Sequence, residues 1–88
     1  MQPDAAPPMR FKVIQARRVY AQIAEQIAEL IRTAELKPGD RLPAERDLAK
    51  QFGVSRPSVR EAMIALEAAG LVQVRPGEGI FVQDRPEE

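Results

Sequence analysis

The feature that most constrains the fold is a three-residue break at residues 53–55, Gly-Val-Ser, which separates two short amphipathic segments. Glycine readily takes the left-handed conformation that ends many helices, and serine is a preferred helix N-cap. The break therefore predicts one helix over residues 44–52 and another over residues 55–69. Pro43 suits the start of the earlier helix, and Pro57 falls in the first turn of the later one, where no intrahelical donor is lost.

A third amphipathic helix is predicted upstream, over residues 17–34. Its apolar residues recur with the spacing of one helical face, and polar residues occupy the opposite face. The predicted inward residues are Val19, Tyr20, Ile23, Ala24, Ile27, Leu30, Ile31 and Ala34. The helix is expected to stop before Pro38 and Gly39, because proline presets φ and glycine accepts the positive φ that often follows in a turn.

Residues 71–75 and 80–83 alternate polar and apolar side chains, and Pro-Gly-Glu-Gly lies between them. This pattern is typical of an antiparallel hairpin. The order of elements predicts a mainly α chain with a small β-hairpin, a winged helix-turn-helix of three helices plus a wing that spans residues 17–83. Residues 1–16 are predicted to form a flexible tail, since proline is frequent at their start, and residues 84–88 a frayed C-terminus.

The composition removes most enzyme chemistry. The 88 residues suit one small domain, and they include no cysteine and no histidine. Thiol nucleophiles, imidazole bases and metal sites built from these side chains are therefore excluded. We expect neither enzyme activity nor a cofactor nor a metal. No apolar run approaches the roughly 20 residues of a membrane helix, and the N-terminus lacks a signal-peptide pattern, so a cytoplasmic protein is expected.

The second helix of the predicted helix-turn-helix begins with a cationic turn. A DNA major groove admits one α-helix, and the N-terminal turn of that helix meets the base edges. Arg56 and Arg60 are four residues apart, about 40° on the helical wheel, and clear of the apolar face. Their guanidinium groups suit guanine or phosphate, and serine hydroxyls suit phosphate or base edges. The predicted DNA-reading residues are Ser55, Arg56, Pro57, Ser58 and Arg60.

Further cations surround this turn, although basic and acidic side chains both number 13 in the whole chain. Residues 41–60 hold five basic and two acidic side chains, so a neutral chain has a local positive excess. Arg46 is predicted to contact phosphate or a neighbouring base edge, with Lys50 and Arg41 as weaker candidates. A glycine-rich hairpin tip that starts with arginine can approach a minor groove closely. The predicted wing contacts are Arg75 and Gly77.

Four segments, residues 36–49, 53–62, 70–72 and 77–82, closely resemble the N-terminal DNA-binding domain of GntR-family bacterial transcription regulators. The Arg-Glu-Ala at residues 60–62 is most similar to the FadR-type branch. The resemblance implies a repressor or activator that binds a palindromic operator in double-stranded DNA as a homodimer. It also implies DNA contacts at the matching positions, which are Arg46, Ser55, Arg56, Ser58, Arg60 and, in the minor groove, Gly77.

Members of this family normally continue into a larger C-terminal domain that senses a metabolite and supplies the dimer contact. That domain is expected to be absent from this chain, whose last residue is Glu88. The isolated domain is expected to be mostly monomeric, because no second apolar helix face is left once the core is filled.

Each candidate residue also has an ordinary structural interpretation. Arg56 and Arg60 could be solvated arginines paired with Glu67, and Arg46 could pair with a neighbouring acid on its own helix. Glu45 is expected to act structurally, either beside the helix dipole or in a pair with an arginine. The alternative function is a winged-helix protein-interaction module without DNA readout. One outward apolar residue on the third helix favours that alternative, Ile64.

Overall fold

The chain folds into three helices followed by an antiparallel hairpin. The structure is a computed structural model that describes residues 10–11 and 16–83. The elements are α1 Ala16–Arg32, α2 Glu45–Phe52, α3 Arg56–Ala68, β1 Val72–Arg75 and β2 Gly79–Val82. The fold class predicted from the sequence, three helices plus a wing, is confirmed. The predicted tail lies outside the described residues except for positions 10–11 and 16, and the predicted frayed C-terminus lies outside them entirely.

Helix α1 begins one residue before its predicted start and ends two residues before its predicted end. Ala34 has a φ of 66°, and the amides of residues 34–36 donate to the carbonyls of Leu30 and Ile31. These bonds close the helix ahead of the Pro-Gly turn. The prediction that Ala34 belongs to the inward helical face is therefore wrong, because this residue is part of the cap.

The turn between α2 and α3 has the predicted geometry. Gly53 has a φ of 71°, in the left-handed region, and its amide donates to the carbonyl of Ala49 at 2.9 Å. Ser55 then has extended backbone, and its Oγ accepts a hydrogen bond from the amide of Ser58 at 3.3 Å. The glycine ends one helix and the serine starts the next, so the two helices are joined by a fixed, short connection.

The wing contains a strand pairing that the sequence pattern does not reveal. Strands β1 and β2 pair antiparallel, and Arg41 bridges to Phe81 on the other side of β2. Around this bridge, the amide of Leu42 donates to the carbonyl of Ile80 at 2.8 Å, and Val82 N–H donates to the carbonyl of Asp40 at 2.8 Å. The segment before α2 thus acts as a third strand and fixes the wing to the start of the helix-turn-helix.

One apolar core joins all of these elements. Its buried residues are Ile23, Ile27, Leu42, Leu48, Ala49, Val59, Ala62, Met63, Leu66, Val72, Ile80 and Val82. Tyr20 packs against it, as predicted, and so does Phe52. Val19 and Leu30 were also predicted to point inward, but their side chains are 37% and 36% exposed. Both residues lie at the border of the apolar face of α1, and the small neighbouring elements cover this face only in part.

Helix α3 ends one residue before its predicted end, and Ala69 is an exposed C-cap after the last helical residue. Ile64 on the same helix is 59% exposed, as its outward position predicted. Within residues 10–11 and 16–83, no helix combines the length and the apolar character needed to span a membrane.

Candidate nucleic-acid interface

The start of α3 presents two arginines to solvent. The side chains of Arg56 and Arg60 are 57% and 58% exposed, and Pro57 occupies the first turn between them. The Ser55 hydroxyl donates to Ser58 Oγ at 3.1 Å, in addition to accepting from the Ser58 amide. The five residues predicted to read DNA therefore form one capped helical turn, and both guanidinium groups are accessible to a ligand.

A single carboxylate holds both guanidinium groups. Arg60 donates from Nε and Nη2 to the two oxygens of Glu45 at 3.0 and 2.9 Å, and Arg56 donates to Oε1 at 3.4 and 3.3 Å. The Glu45 side chain is only 21% exposed, so the acid lies beneath the arginines. The predicted pairing of Glu45 with an arginine is confirmed. The alternative in which the arginines pair with Glu67 is wrong.

This arrangement changes the acidity of the carboxylate. The hydrogen bond from Arg60 lowers the pKa of Glu45 below its ordinary value of 4.5, and the positive charges of Arg60 and Arg56 act in the same direction, while burial opposes them. The same hydrogen bond raises the pKa of Arg60. The carboxylate therefore stays ionised at neutral pH and keeps the two guanidinium groups close together.

Glu45→Gln should make the domain less stable near neutral pH, because the neutral amide replaces a charged partner of two arginines. The difference should shrink below pH 4.5, since protonation through the lowered pKa removes the same ion pairs from the unchanged protein. Urea unfolding of both proteins at about pH 7 and about pH 3 measures this difference. A stability gap of equal size at both pH values would contradict the assigned ion pairs.

Helix α2 carries two of the remaining predicted cations. Arg46 and Lys50 are both exposed and lie one helical turn apart. The alternative in which Arg46 pairs within its own helix is not found, because neither Glu45 nor Asp47 forms an ion pair with it among the described side chains. Both cations therefore extend the exposed positive surface along α2.

The hairpin tip is a tight turn shaped by proline and glycine. The amide of Glu78 donates to the carbonyl of Arg75 at 2.9 Å, and Gly77 at the third position has a φ of 78°. Proline at the second position and a positive φ at the third are the features of a type II turn. Gly77, predicted to approach a minor groove, is therefore an exposed residue at the apex of the wing.

Arg75 lies along the wing instead of extending freely from it. Its guanidinium carbon is 4.4 Å from the centre of the Phe81 ring, and its Nε donates to Gln73 Oε1 at 2.9 Å. The carboxylate of Glu78 is 4.0 Å away. The side chain remains about half exposed, so these contacts orient the guanidinium group beside the hairpin tip without burying it.

The structure places Arg41 at the wing, far along the sequence from the hairpin. Its side chain crosses β2 at Gly79, where an added Cβ would be only 2.7 Å from Arg41 Nε. Gly79 also has a φ of 133°, which favours glycine. The sequence analysis missed this close approach, because the strand pairing that brings Arg41 to Gly79 joins distant segments.

The wing tip and the start of α2 line the same open cleft. Its walls include Glu45, which holds Arg56 and Arg60, and the wing residues Arg41, Arg75 and Gly77. Six cations of the helix-turn-helix and the wing are exposed, and together we call them the cationic face. The cationic face consists of Arg41, Arg46, Lys50, Arg56, Arg60 and Arg75.

A helix-turn-helix with an accessible arginine turn, followed by a hairpin wing with a glycine apex, defines a winged-helix DNA-binding domain. Residues 19–82 match the protein family described as bacterial regulatory proteins, gntR family. The chain belongs to this family, whose members regulate transcription.

Two bacterial regulators show the extent of the similarity. The HTH-type transcriptional regulator Mce2R of Mycobacterium tuberculosis is 49% identical over 76 residues, which cover 86% of this chain and 32% of that protein. The Uxu operon transcriptional regulator of Escherichia coli is 48% identical over 69 residues, which cover 78% of this chain and 27% of that protein. The chain therefore spans less than a third of the length of these relatives.

Solved structures agree with this similarity. The DNA-binding domain of AraR in complex with the operator ORX1 has a TM-score of 0.71 at 35% identity, with 88% of each chain covered. YtrA from Sulfolobus acidocaldarius, a GntR-family transcription factor, has a TM-score of 0.71 at 42% identity, covering 76% of this chain and 70% of that one.

Proposed function

We propose that the chain binds double-stranded DNA sequence-specifically as the DNA-reading part of a bacterial transcription regulator. The observation that carries this proposal is the exposed arginine pair at the capped start of α3, held on one carboxylate. A helix start of this kind fits the major groove, and its amides and guanidinium groups suit guanine edges and phosphates. Helix α2 then faces the DNA backbone, and the wing faces the adjacent minor groove.

The cationic face divides into two kinds of contact. Arg56 and Arg60 are assigned to base edges, where a planar guanidinium group can make two parallel hydrogen bonds. Ser55 and Ser58 contact phosphate or bases, and Pro57 shapes the turn between them. Arg46 and Lys50 on α2 are assigned mainly to phosphate. Phosphate contacts position the protein and base contacts supply sequence preference.

The wing supplies the third contact. Gly77 at the apex has no side chain, so the backbone can approach the floor of a minor groove. Arg75 and Arg41 are assigned to the negative potential along that groove or to its phosphates. The contacts of Arg75 with Phe81 and Gln73 support this assignment, because they restrict a long side chain before DNA binds.

We further propose that residues 17–83 form the DNA-binding domain of a FadR-type regulator, a repressor or activator that acts in the cytoplasm. The Arg-Glu-Ala sequence at residues 60–62 supports this branch. Two copies bind a palindromic operator, since a two-fold symmetric protein matches a two-fold symmetric site. Alone, this domain is mostly monomeric, and its copies meet on DNA.

A second candidate function, a protein-interaction module, has one observation in its favour. Ile64 is 59% exposed and lines an open groove with Tyr20, Ala65 and Ala68 between α1 and α3. One exposed isoleucine supports this alternative, whereas the capped turn with two exposed arginines supports DNA binding, which is therefore the better-supported function. Titration of the domain with duplex DNA over a range of salt concentrations separates the two, because only the cationic face responds steeply to salt.

Lys50→Ala should weaken binding to all duplex sequences alike. The slope of the logarithm of the binding constant against the logarithm of salt concentration should fall by about one, because one phosphate contact and its counterion release are lost. Fluorescence anisotropy with labelled duplexes measures both quantities. Lys37→Ala, which removes an exposed lysine outside the cationic face, serves as the control and should leave the slope unchanged. An unchanged slope in Lys50→Ala would exclude its phosphate contact.

A further inference from the structure

One hydrogen bond links the end of the recognition helix α3 to the wing. The amide of Val74 in β1 donates to Glu67 Oε2 at 3.1 Å. Glu67 lies in the last turn of α3, and Val74 immediately precedes Arg75 at the wing tip. The carboxylate therefore reaches the hairpin next to the residues assigned to the minor groove.

The backbone group that Glu67 binds has no partner within the hairpin. The amide of Gln83 donates to the carbonyl of Leu71. Leu71 and Gln83 therefore form a hydrogen-bonded pair of the antiparallel ladder. Such pairs alternate along a strand, so the N–H of Val74 points to the open edge of β1. Glu67 thus satisfies an edge amide that the sheet leaves free, from a different element of the fold.

The position of Glu67 is unfavourable for α3 itself. A negative charge in the last turn lies beside the negative end of the helix dipole, where a basic residue is preferred. A negative charge on the recognition helix also opposes binding to a polyanion. Neither effect favours a glutamate here, whereas a hydrogen bond to the wing does.

We propose that Glu67 is a positioning residue that fixes the wing relative to α3, so that the major-groove and minor-groove contacts form together. This inference rests on the proposed function. Without the hydrogen bond, the hairpin keeps its strand pairing but loses one of its fixed points on α3. The wing then has to be ordered when DNA binds, and that ordering reduces affinity.

The test compares Glu67→Ala, Glu67→Gln and the matched control Glu61→Ala in DNA binding. Glu61 is an exposed acid on the same helix, so its removal deletes the same charge without touching the wing. Glu67→Ala should weaken DNA binding about fivefold, which corresponds to the net contribution of about one hydrogen bond. This loss is expected even though the substitution also removes a negative charge, which by itself would favour DNA binding. Glu67→Gln keeps an acceptor but loses the charge, so both this variant and Glu61→Ala should bind as tightly as the unchanged protein or more tightly. Binding by Glu67→Ala that equals or exceeds that of Glu61→Ala would overturn the proposal.

Two further measurements distinguish positioning from a general loss of stability. Hydrogen exchange at the Val74 amide should accelerate in Glu67→Ala and return to its original rate in Glu67→Gln. Gly77→Val places a side chain at the wing apex and should prevent its contact with the minor groove. In a protein that carries Gly77→Val, Glu67→Ala should cause no additional loss of affinity, because both changes act through the wing. An equal loss in both backgrounds would reject positioning while leaving DNA binding intact. Failure of the unchanged domain to bind any duplex would instead reject the proposed function.

Discussion

Leu66→Ala should lower the free energy of unfolding by about 2 to 5 kcal/mol, because it removes a large side chain from the centre of a small core. Leu66 is only 2% exposed and lies in the cluster that joins α3 to α1 and the hairpin. A domain of this size has few other apolar contacts with which to compensate, since small chains bury a smaller fraction of their surface. The substitution should leave a cavity where three elements meet.

Urea unfolding followed by circular dichroism measures this loss of stability. Ile64→Ala on the same helix is the matched control, since Ile64 is 59% exposed and its truncation should change stability by no more than about 0.5 kcal/mol. A Leu66→Ala domain as stable as the Ile64→Ala domain would show that the core has been assigned to the wrong residues.

Arg60→Ala should weaken binding to the preferred duplex by about 5- to 150-fold and relax base preference at one position of the half-site. Arg60 is 58% exposed and makes two hydrogen bonds with Glu45, so its guanidinium group is oriented before DNA arrives. Loss of a base contact should lower affinity for the preferred sequence more than affinity for other sequences. Loss of a phosphate contact should instead lower both affinities alike.

Competition titrations with single-base variants of the preferred duplex measure this change. Arg60→Lys keeps the charge but lacks the planar fork, so it should recover non-specific binding without recovering base preference. Arg32→Ala removes an exposed arginine of α1, outside the cationic face, and should leave base preference unchanged. Retained base preference in Arg60→Ala would assign readout to other residues of the turn.

The sequence predicted those parts of the fold that depend on local chemistry. Gly53 and Ser55 specify the turn between α2 and α3 through the left-handed region and the cap, and both have these conformations. The alternating pattern around Pro76 and Gly77 likewise predicted the hairpin. Local rules suffice here, because each conformation is determined by a few neighbouring residues.

The contacts between distant segments could not be predicted in this way. The pairing of Glu45 with an arginine was expected, but its distribution over both Arg56 and Arg60 depends on how α2 crosses α3. The approach of Arg41 to Gly79 requires a strand pairing across the core. Periodicity reports which face of an element is apolar, and it contains no information about which polar side chains then meet.

The central claim is that the exposed arginine turn of α3 reads the sequence of a DNA duplex. Selection of bound duplexes from a random oligonucleotide pool, performed at low and at moderate salt, tests this claim most directly. Our account predicts enrichment of a motif with two related half-sites, retained at moderate salt and relaxed at one position of each half-site in the pool selected by Arg60→Ala. Equal recovery of all sequences by the unchanged protein at both salt concentrations would contradict it.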